Sequence, residues 1–349
     1  MSDMSFGKKV LFCVASALLA SSVAGFVLML LTPQLRSLIA VICITALVCA
    51  GLFFGISQLL RDKEAKIRIP SQAGIVVVSL VVMFSSIMVN LAPLIVFPCN
   101  HDEEAYEELT ELSESEGSRV SEIRIDDLTG WRIRAKNAND DDPRPVILCF
   151  VGNGMNSSYT SLRVFRDKEG EYSSFTSDTD FVCIDYPGYG ISGGVPTDSS
   201  VKEMALKAYD EVSSWSTTSG VIAFGYSIGS GAAVYLASER EVAGVLLWAP
   251  YANTYDLFNN YLDIFHGPFK LLVRIRFDSE KFIKKVTCPV MIIASDTDEV
   301  VPYQSSRALF AAANGSASDF VTVSGIGHND FWHSDKVLSN AYDFIGEVA

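Results

Sequence analysis

The chain reads Gly225-Tyr226-Ser227-Ile228-Gly229 directly after a short apolar run, Val221–Phe224, and at the start of a stretch rich in small residues, Ile228–Ala237. A serine with glycine two positions away on each side, between a buried strand and a helix, is typical of a nucleophile elbow. The turn is so tight that both flanking positions must be almost free of side-chain atoms, which glycine allows. The serine is left at the helix N-terminus, where free backbone N–H groups favour negative charge. We therefore predict that Ser227 is a catalytic nucleophile.

Apolar runs and helix-like stretches alternate on both sides of this turn. Short continuous apolar runs are typical of strands that are buried on both faces, and strand–helix alternation favours a mostly parallel sheet with helices on both faces. We predict such an α/β domain over residues 119–349, with a hairpin first and a short cap at about 251–286. The predicted strands after the hairpin are Val146–Val151, Phe181–Ile184, Val221–Phe224, Val242–Trp248, Val290–Ala294 and Phe320–Val323.

A serine hydroxyl needs a base, and the base needs an orienting carboxylate. The chain has four histidines, and His328 lies in a glycine-flanked loop between the last strand and the last helix. The loop after the preceding strand offers Asp296, Asp298 and Glu299. We expect Asp298 to be the acid, because it lies deeper in the loop, and Asp296 to form a turn. The order Ser227, Asp298, His328 is that of a hydrolase with a nucleophile elbow.

Two backbone N–H groups should face the charge that develops on the substrate oxygen. One is expected from Ile228, which follows the serine. The other is expected from the loop Gly152–Asn156, in which Asn153 is the best placed donor. An ordinary glycine turn stays open as the alternative for this loop.

Seven segments of residues 120–348 carry a resemblance to a known family. They resemble the α/β-hydrolase superfamily, and within it the membrane-anchored, serine aminopeptidase-like branch that includes depalmitoylase-like enzymes. The matching segments are Val151–Gly154, Asp185–Thr197, Gly225–Gly229, Arg276–Ser279, Cys288–Val290, Asp298–Pro302 and Gly327–Asp330.

The resemblance implies a triad of Ser227, Asp298 and His328, and hydrolysis of an ester, thioester or amide through an acyl-enzyme. It also implies that the turn Asp185–Gly190 is structural. Two loop positions depart from the family pattern, since Val151 replaces a common histidine and Ala294-Ser295 replaces a common His-Gly.

Residues 1–98 contain three uncharged apolar runs, at about 10–32, 38–60 and 73–97. Each is long enough for a membrane-spanning helix, which needs about 20 residues. A cleaved signal peptide is the alternative for the first run. Basic residues flank the first run on its N-terminal side and fill the loop before the third run, so we expect a multi-pass protein of the cell (inner) membrane with its hydrolase domain on the non-cytoplasmic side. Residues 99–118 are acidic and predict a solvated linker.

The charge balance excludes one class of partner. With 27 basic and 41 acidic residues, the net charge is −14, so no basic surface for nucleic acid is expected. No cluster with metal-ligand spacing is visible outside the triad, and we expect neither a metal nor another cofactor. The sequence therefore predicts a membrane-embedded serine hydrolase for a small-molecule or acylated (lipid or protein) substrate. A peptidase is not separated from an esterase, and a catalytically silent binding or scaffold protein is the alternative.

Overall fold

The computed structural model describes residues 97–349 except 117–118, 138, 140, 167–174, 262, 274 and 314–317, together with isolated helical residues between 43 and 81. The chain divides into two compact units, Met1–Ile95 and Val96–Ala349. The three apolar runs at 10–32, 38–60 and 73–97 lie outside the described residues, apart from those isolated positions and Phe97. Within the residues that the structure describes, no helix has the length and apolar character needed to cross a membrane.

The second unit is built on one eight-stranded sheet in the order β1-β2-β4-β3-β5-β6-β7-β8. β1 pairs antiparallel with β2, and β2 with β4, whereas all the other pairs are parallel. The predicted hairpin and mostly parallel α/β sheet are therefore confirmed. The strands are β1 Val120–Ile125, β2 Leu128–Ile133, β3 Arg144–Phe150, β4 Asp180–Ile184, β5 Thr218–Tyr226, β6 Gly244–Trp248, β7 Val290–Ser295 and β8 Ser318–Val323.

Helices follow most of the strands and cover the sheet. They are α1 Glu103–Glu116, α2 Ser157–Phe165, α3 Asp198–Ser213, α4 Gly229–Glu239, α5 Thr254–Tyr261, α6 Ser279–Ile283, α7 Tyr303–Ala312 and α8 Asp335–Val348, with 3-10 turns at Gly267–Leu272 and His328–His333. Every residue of β4, β6 and β7 is buried. This burial on both faces explains why these strands are apolar without alternation.

An aromatic cluster fills the core beneath the end of β5. Phe224 lies against Trp248 with ring centroids 4.8 Å apart, and Trp248 lies against Trp332 at 4.9 Å. All three side chains are fully buried. The cluster joins β5, β6 and the 3-10 turn that begins at His328, so it fixes the relative positions of the segments that carry the candidate serine and histidine.

The acidic segment 99–118 differs from the solvated linker that its charge predicts. It forms helix α1, in which Ala105 and Leu109 are buried in the core. The Asp102 carboxylate accepts the backbone N–H of Ala105 at 3.0 Å, which caps the first turn. Tyr106 donates its hydroxyl to Glu122 of β1 at 2.9 Å. Ala105 and Leu109 are four residues apart, so they lie on one face of the helix, whereas Glu103, Glu104, Glu107 and Glu111 are exposed.

Candidate active site

The turn from β5 into α4 holds Ser227 in a left-handed conformation, with φ +54°. A β-carbon added at Gly225 would lie 2.6 Å from Ser230 Cα, and one at Gly229 would lie 2.1 Å from the Phe150 carbonyl oxygen. Both distances are far inside van der Waals contact, so no larger residue fits at either position without movement of the backbone. The close approach of β3, β5 and α4 therefore requires glycine at both positions. The turn between these glycines places Ser227 at the carboxyl end of the sheet.

Ser227, His328 and Asp298 are brought together in one hydrogen-bonded row. His328 Nε2 lies 2.8 Å from Ser227 Oγ, and His328 Nδ1 lies 2.8 Å from Asp298 Oδ2. An ionised carboxylate only accepts hydrogen bonds, so Nδ1 carries the proton and Nε2 accepts from the serine hydroxyl. The Asp298 side chain is 2% exposed and that of His328 is 9% exposed. In this arrangement an imidazole can remove the hydroxyl proton and a carboxylate can stabilise the resulting imidazolium.

Hydrogen bonds in the loop after β7 distinguish Asp298 from its acidic neighbours. The second oxygen of the Asp298 carboxylate, Oδ1, accepts the backbone N–H groups of Val300 and Val301, each at 2.8 Å. These bonds orient the carboxylate towards the histidine. Asp296 is exposed and accepts the Ser324 hydroxyl at 2.8 Å, outside the row.

Two further side chains hold His328, and the sequence predicts a contact with the histidine for neither of them. Glu299 accepts the backbone N–H of His328 at 3.1 Å. The Tyr226 ring stacks on the imidazole, with centroids 5.5 Å apart and planes 20° from parallel, and its hydroxyl donates to the His328 carbonyl. Burial raises the pKa of Tyr226 above its usual range, so its hydroxyl stays protonated and able to donate. The only sequence signals for these two residues are that Tyr226 precedes Ser227 and that Glu299 follows Asp298. Neither position by itself indicates a contact with the histidine.

The two expected oxyanion donors follow neighbouring strands, Asn153 after β3 and Ile228 after β5. β3 and β5 are paired so that Phe150 stands opposite Gly225. The loop Gly152–Asn156 therefore begins beside the elbow, where Ile228 follows the serine at the start of α4. Asn153 is exposed in this loop, and Met155 N–H donates to the Gly152 carbonyl at 3.2 Å, which closes a tight turn around it.

The turn after β4 lies beside this loop and carries a buried carboxylate. Asp185 is 2% exposed, and its Oδ1 accepts the backbone N–H of Ser157 at 2.6 Å at the start of α2. Burial raises the pKa of Asp185 to about 6, although the bond from Ser157 opposes the rise. Asp185 bonds to a helix end, which fits the structural role that the resemblance implied.

The expected cap contains α5, the 3-10 turn Gly267–Leu272 and α6. Tyr251, just before α5, is fully buried and donates its hydroxyl to the Ile228 carbonyl at 3.2 Å. Asn260 of α5 donates to the carbonyls of Glu299 and Val300 at 2.9 and 3.1 Å. Among the described aromatic residues of the cap, Tyr251, Phe265 and Phe277 are buried, whereas Phe269 is 55% exposed. Among the described residues, no three His, Cys, Asp or Glu side chains are grouped so as to hold a metal ion.

Relatives of the chain match about half of its length. No protein-family model matches it. An uncharacterized protein of Mycobacterium tuberculosis is 32% identical over 152 residues, covering 42% of this chain and 52% of that protein. Alpha/beta hydrolase domain-containing protein 17C of Xenopus tropicalis is 31% identical over 163 residues, covering 46% and 50%. Lysophosphatidylserine lipase ABHD12 of Macaca fascicularis is 26% identical over 181 residues, covering 45% and 44%. The chain therefore spans about half the length of these curated relatives.

Solved structures agree with the sheet topology. An alpha-beta hydrolase from Vibrio vulnificus matches with a TM-score of 0.55 at 18% identity, covering 77% of this chain and 94% of that one. Est1E from Butyrivibrio proteoclasticus matches with a TM-score of 0.50 at 20% identity, covering 65% and 98%. Structural matches at such low sequence identity establish the fold and no more. Taken with the relatives named as alpha/beta hydrolase domain-containing proteins, the structural matches show that the chain has the α/β-hydrolase fold and is similar to members of that superfamily.

Proposed function

We propose that the chain is a serine hydrolase that cleaves an ester, thioester or amide through an acyl-enzyme. The observation that carries the proposal is the continuous row of Ser227, His328 and Asp298, with both hydrogen bonds at 2.8 Å. The row stands at a strained elbow that a silent fold would have no physical reason to retain.

In this mechanism Ser227 Oγ attacks the carbonyl carbon of the substrate while His328 Nε2 takes the hydroxyl proton. The carbonyl electron pair moves to the oxygen, and the N–H groups of Ile228 and Asn153 stabilise the oxyanion. Collapse of the tetrahedral intermediate breaks the bond to the leaving group, which receives the proton from His328. Water then repeats the sequence on the acyl-enzyme, and Asp298 stays ionised throughout.

The proposal extends to location and substrate class. We place the enzyme in the cell (inner) membrane, held by the three apolar runs of residues 10–97, with its hydrolase domain on the non-cytoplasmic side. The support is the length of these runs and their freedom from charge. Tethering keeps the site near the bilayer and favours an acylated lipid or protein as substrate. One relative bears the name lysophosphatidylserine lipase, which agrees with an acyl-lipid substrate.

Labelling of the detergent-solubilised full chain with a fluorophosphonate probe tests the mechanism. Wild type should be labelled covalently, and Ser227→Ala should lose all labelling because it lacks the nucleophile. Ser213→Ala, a change at an exposed position at the end of α3, is the matched control and should label like wild type. Folded wild-type protein that resists the probe would contradict the acyl-enzyme mechanism and favour the scaffold function.

Washing membranes at alkaline pH tests the anchoring. The labelled protein should stay in the pellet, because integral segments are not extracted by carbonate. In spheroplasts, external protease should remove the labelled domain if it lies on the non-cytoplasmic side. Release of the intact labelled protein into the wash would contradict a membrane-embedded chain, and protection from protease would reverse the topology.

A further inference from the structure

The four residues Phe97-Pro98-Cys99-Asn100, here called the strap, lead into the hydrolase unit beside the candidate active site. Phe97 is 1% exposed and meets the rings of Tyr186 and Tyr189 edge-on, with centroids 5.7 and 6.4 Å away. The Tyr186 hydroxyl in turn donates to the Val151 carbonyl at 2.7 Å. The strap is therefore packed against the turn after β4 and, through Tyr186, against the start of the loop that carries Asn153.

Asn100 joins these two segments directly. Its side-chain Nδ2 donates to the Gly154 carbonyl at 2.7 Å, and its own carbonyl accepts the backbone N–H of Gly190 at 2.9 Å. Gly154 has φ +73°, a left-handed conformation that glycine adopts without strain. The bond from Asn100 thus holds the peptide group that follows a flexible glycine.

The loop has further restraints at both ends. Its beginning is fixed by β3 and by Tyr186, and its end by Ser157 N–H, which donates to the buried Asp185. Between these points, Asn153 and Gly154 are the two central residues of the turn closed by the bond from Met155 to Gly152. The Gly154 carbonyl shares a peptide group with the Met155 N–H, which donates to the Gly152 carbonyl, and that carbonyl shares a peptide group with the Asn153 N–H. Rotation of the Gly154 peptide therefore changes the direction of the Asn153 N–H through this hydrogen bond.

We infer that Asn100 is a positioning residue, which orients the Asn153 N–H for the oxyanion by holding the Gly154 carbonyl. This inference rests on the proposed function, since it assigns a support to one of the two oxyanion donors. Its consequence is that the segment arriving from residue 96 is part of the catalytic architecture. A donor held at the wrong angle binds the ground-state substrate equally well but stabilises the transition state less.

The test compares Asn100→Asp with wild type in the full detergent-solubilised chain. The substitution keeps the side-chain size and removes the donor. The matched control is Asn340→Asp, because Asn340 Nδ2 also donates to a backbone carbonyl, that of Lys336 at 2.7 Å, on the exposed face of α8. The readout is the rate of fluorophosphonate labelling as a function of probe concentration, separated into the maximal rate kinact and the half-saturating concentration KI. The phosphonyl oxygen occupies the oxyanion position, so kinact reports on the donors.

We expect Asn100→Asp to lower kinact about fivefold, since a single hydrogen bond is lost at a distance from the donor itself. KI should stay within about twofold of wild type, as for an interaction made only in the transition state. Asn340→Asp should leave both constants unchanged. The final labelled fraction measures the folded enzyme, so partial unfolding lowers this amplitude and not kinact.

An unchanged kinact in Asn100→Asp, or a rise in KI without a fall in kinact, would overturn the positioning role. If Asn100→Asp fails to fold, Asn100→Ser supplies a smaller side chain that cannot span to Gly154 and must show the same fall in kinact. Failure of the proposed function is distinguishable, because wild type itself would then remain unlabelled.

Discussion

At the scale of single residues, Ser227 illustrates how local crowding dictates sequence. A non-glycine residue at φ +54° costs about 1–3 kcal/mol, and the surrounding elbow must supply that energy. The Ser227 N–H donates to the Trp248 carbonyl at 2.9 Å, and its carbonyl accepts the Ser230 hydroxyl at 2.7 Å. These bonds hold the backbone in the conformation that exposes Oγ to His328.

Gly229→Ala is the sharpest test of this crowding. The added methyl group would collide with the Phe150 carbonyl, so α4 or β3 must move. A displacement of about 1 Å at reacting groups can cost about 10²-fold in rate, and we expect a loss of that order in fluorophosphonate labelling together with a lower Tm. Thermal unfolding and labelling kinetics measure the two effects.

Gly346→Ala provides the matched control for that substitution. Gly346 lies on the exposed side of α8 with no atom within 4 Å of an added β-carbon. Alanine is favoured over glycine inside a helix by about 1 kcal/mol, so this variant should be slightly more stable and fully active. Equal labelling rates in Gly229→Ala and Gly346→Ala would show that the elbow tolerates a side chain.

The site residues separate into those with a local sequence signal and those without one. Ser227 could be predicted because the tight turn requires glycine two positions away on each side, a pattern that five consecutive residues display. His328 and Asp298 could be predicted because chain order limits the choice after each strand. Glu299 and Tyr226 could not, because their contacts with the histidine depend on which loops meet at the edge of the sheet.

At the scale of elements, the buried strands were predictable and their ends were less so. The predicted strand Val221–Phe224 is the apolar centre of β5, which runs from Thr218 to Tyr226. The hairpin shows why the ends of strands are difficult to predict. The sequence predicts the hairpin turn at Asp127–Gly130, whereas the turn lies at Asp126-Asp127, with Ile125 opposite Leu128. Gly130 instead permits close approach to β4, since an added β-carbon would lie 2.3 Å from the Cys183 carbonyl.

Helix α1 shows a different limit of composition-based reasoning. Its many glutamates predict a solvated segment, yet Leu109 is fully buried. A few apolar residues at helical spacing suffice to attach an amphipathic helix, and the average charge of the segment hides them. The contact with β1 through Tyr106 and Glu122 depends on tertiary structure and has no local signature.

At the scale of the whole molecule, the parallel sheet brings distant sequence positions to one edge. Ser227, Asp298 and His328 follow β5, β7 and β8, which all run in the same direction. The carboxyl ends of parallel strands share one edge, and binding sites in such sheets lie there. The strap and the Asp185 turn lie at the same edge, because β4 is parallel to β3. A buried carboxylate at this edge makes the stability of the whole unit sensitive to pH.

The raised pKa of Asp185 predicts the direction of that sensitivity. The value of about 6 lies above the ordinary 3.8, so between these values the folded protein binds a proton that the unfolded chain does not. The associated stability is complete below about pH 4 and is lost as the pH rises through 6. At pH 7 the free energy of unfolding is therefore about 3 kcal/mol lower than it is below pH 4, because the pKa shift of about two units corresponds to about 1.4 kcal/mol per unit.

Asp185→Asn should remove this dependence, because the amide is neutral and its oxygen can still accept the Ser157 N–H. Thermal unfolding between pH 4.5 and 7.5 should therefore show the Tm of wild type falling relative to that of Asp185→Asn as the pH rises. Asp343→Asn, at an exposed position on α8, serves as the control and should run parallel to wild type. Parallel Tm curves for Asp185→Asn and wild type would contradict a pKa raised by burial. They would mean that the folded protein accommodates the charge at Asp185 as well as the unfolded chain does.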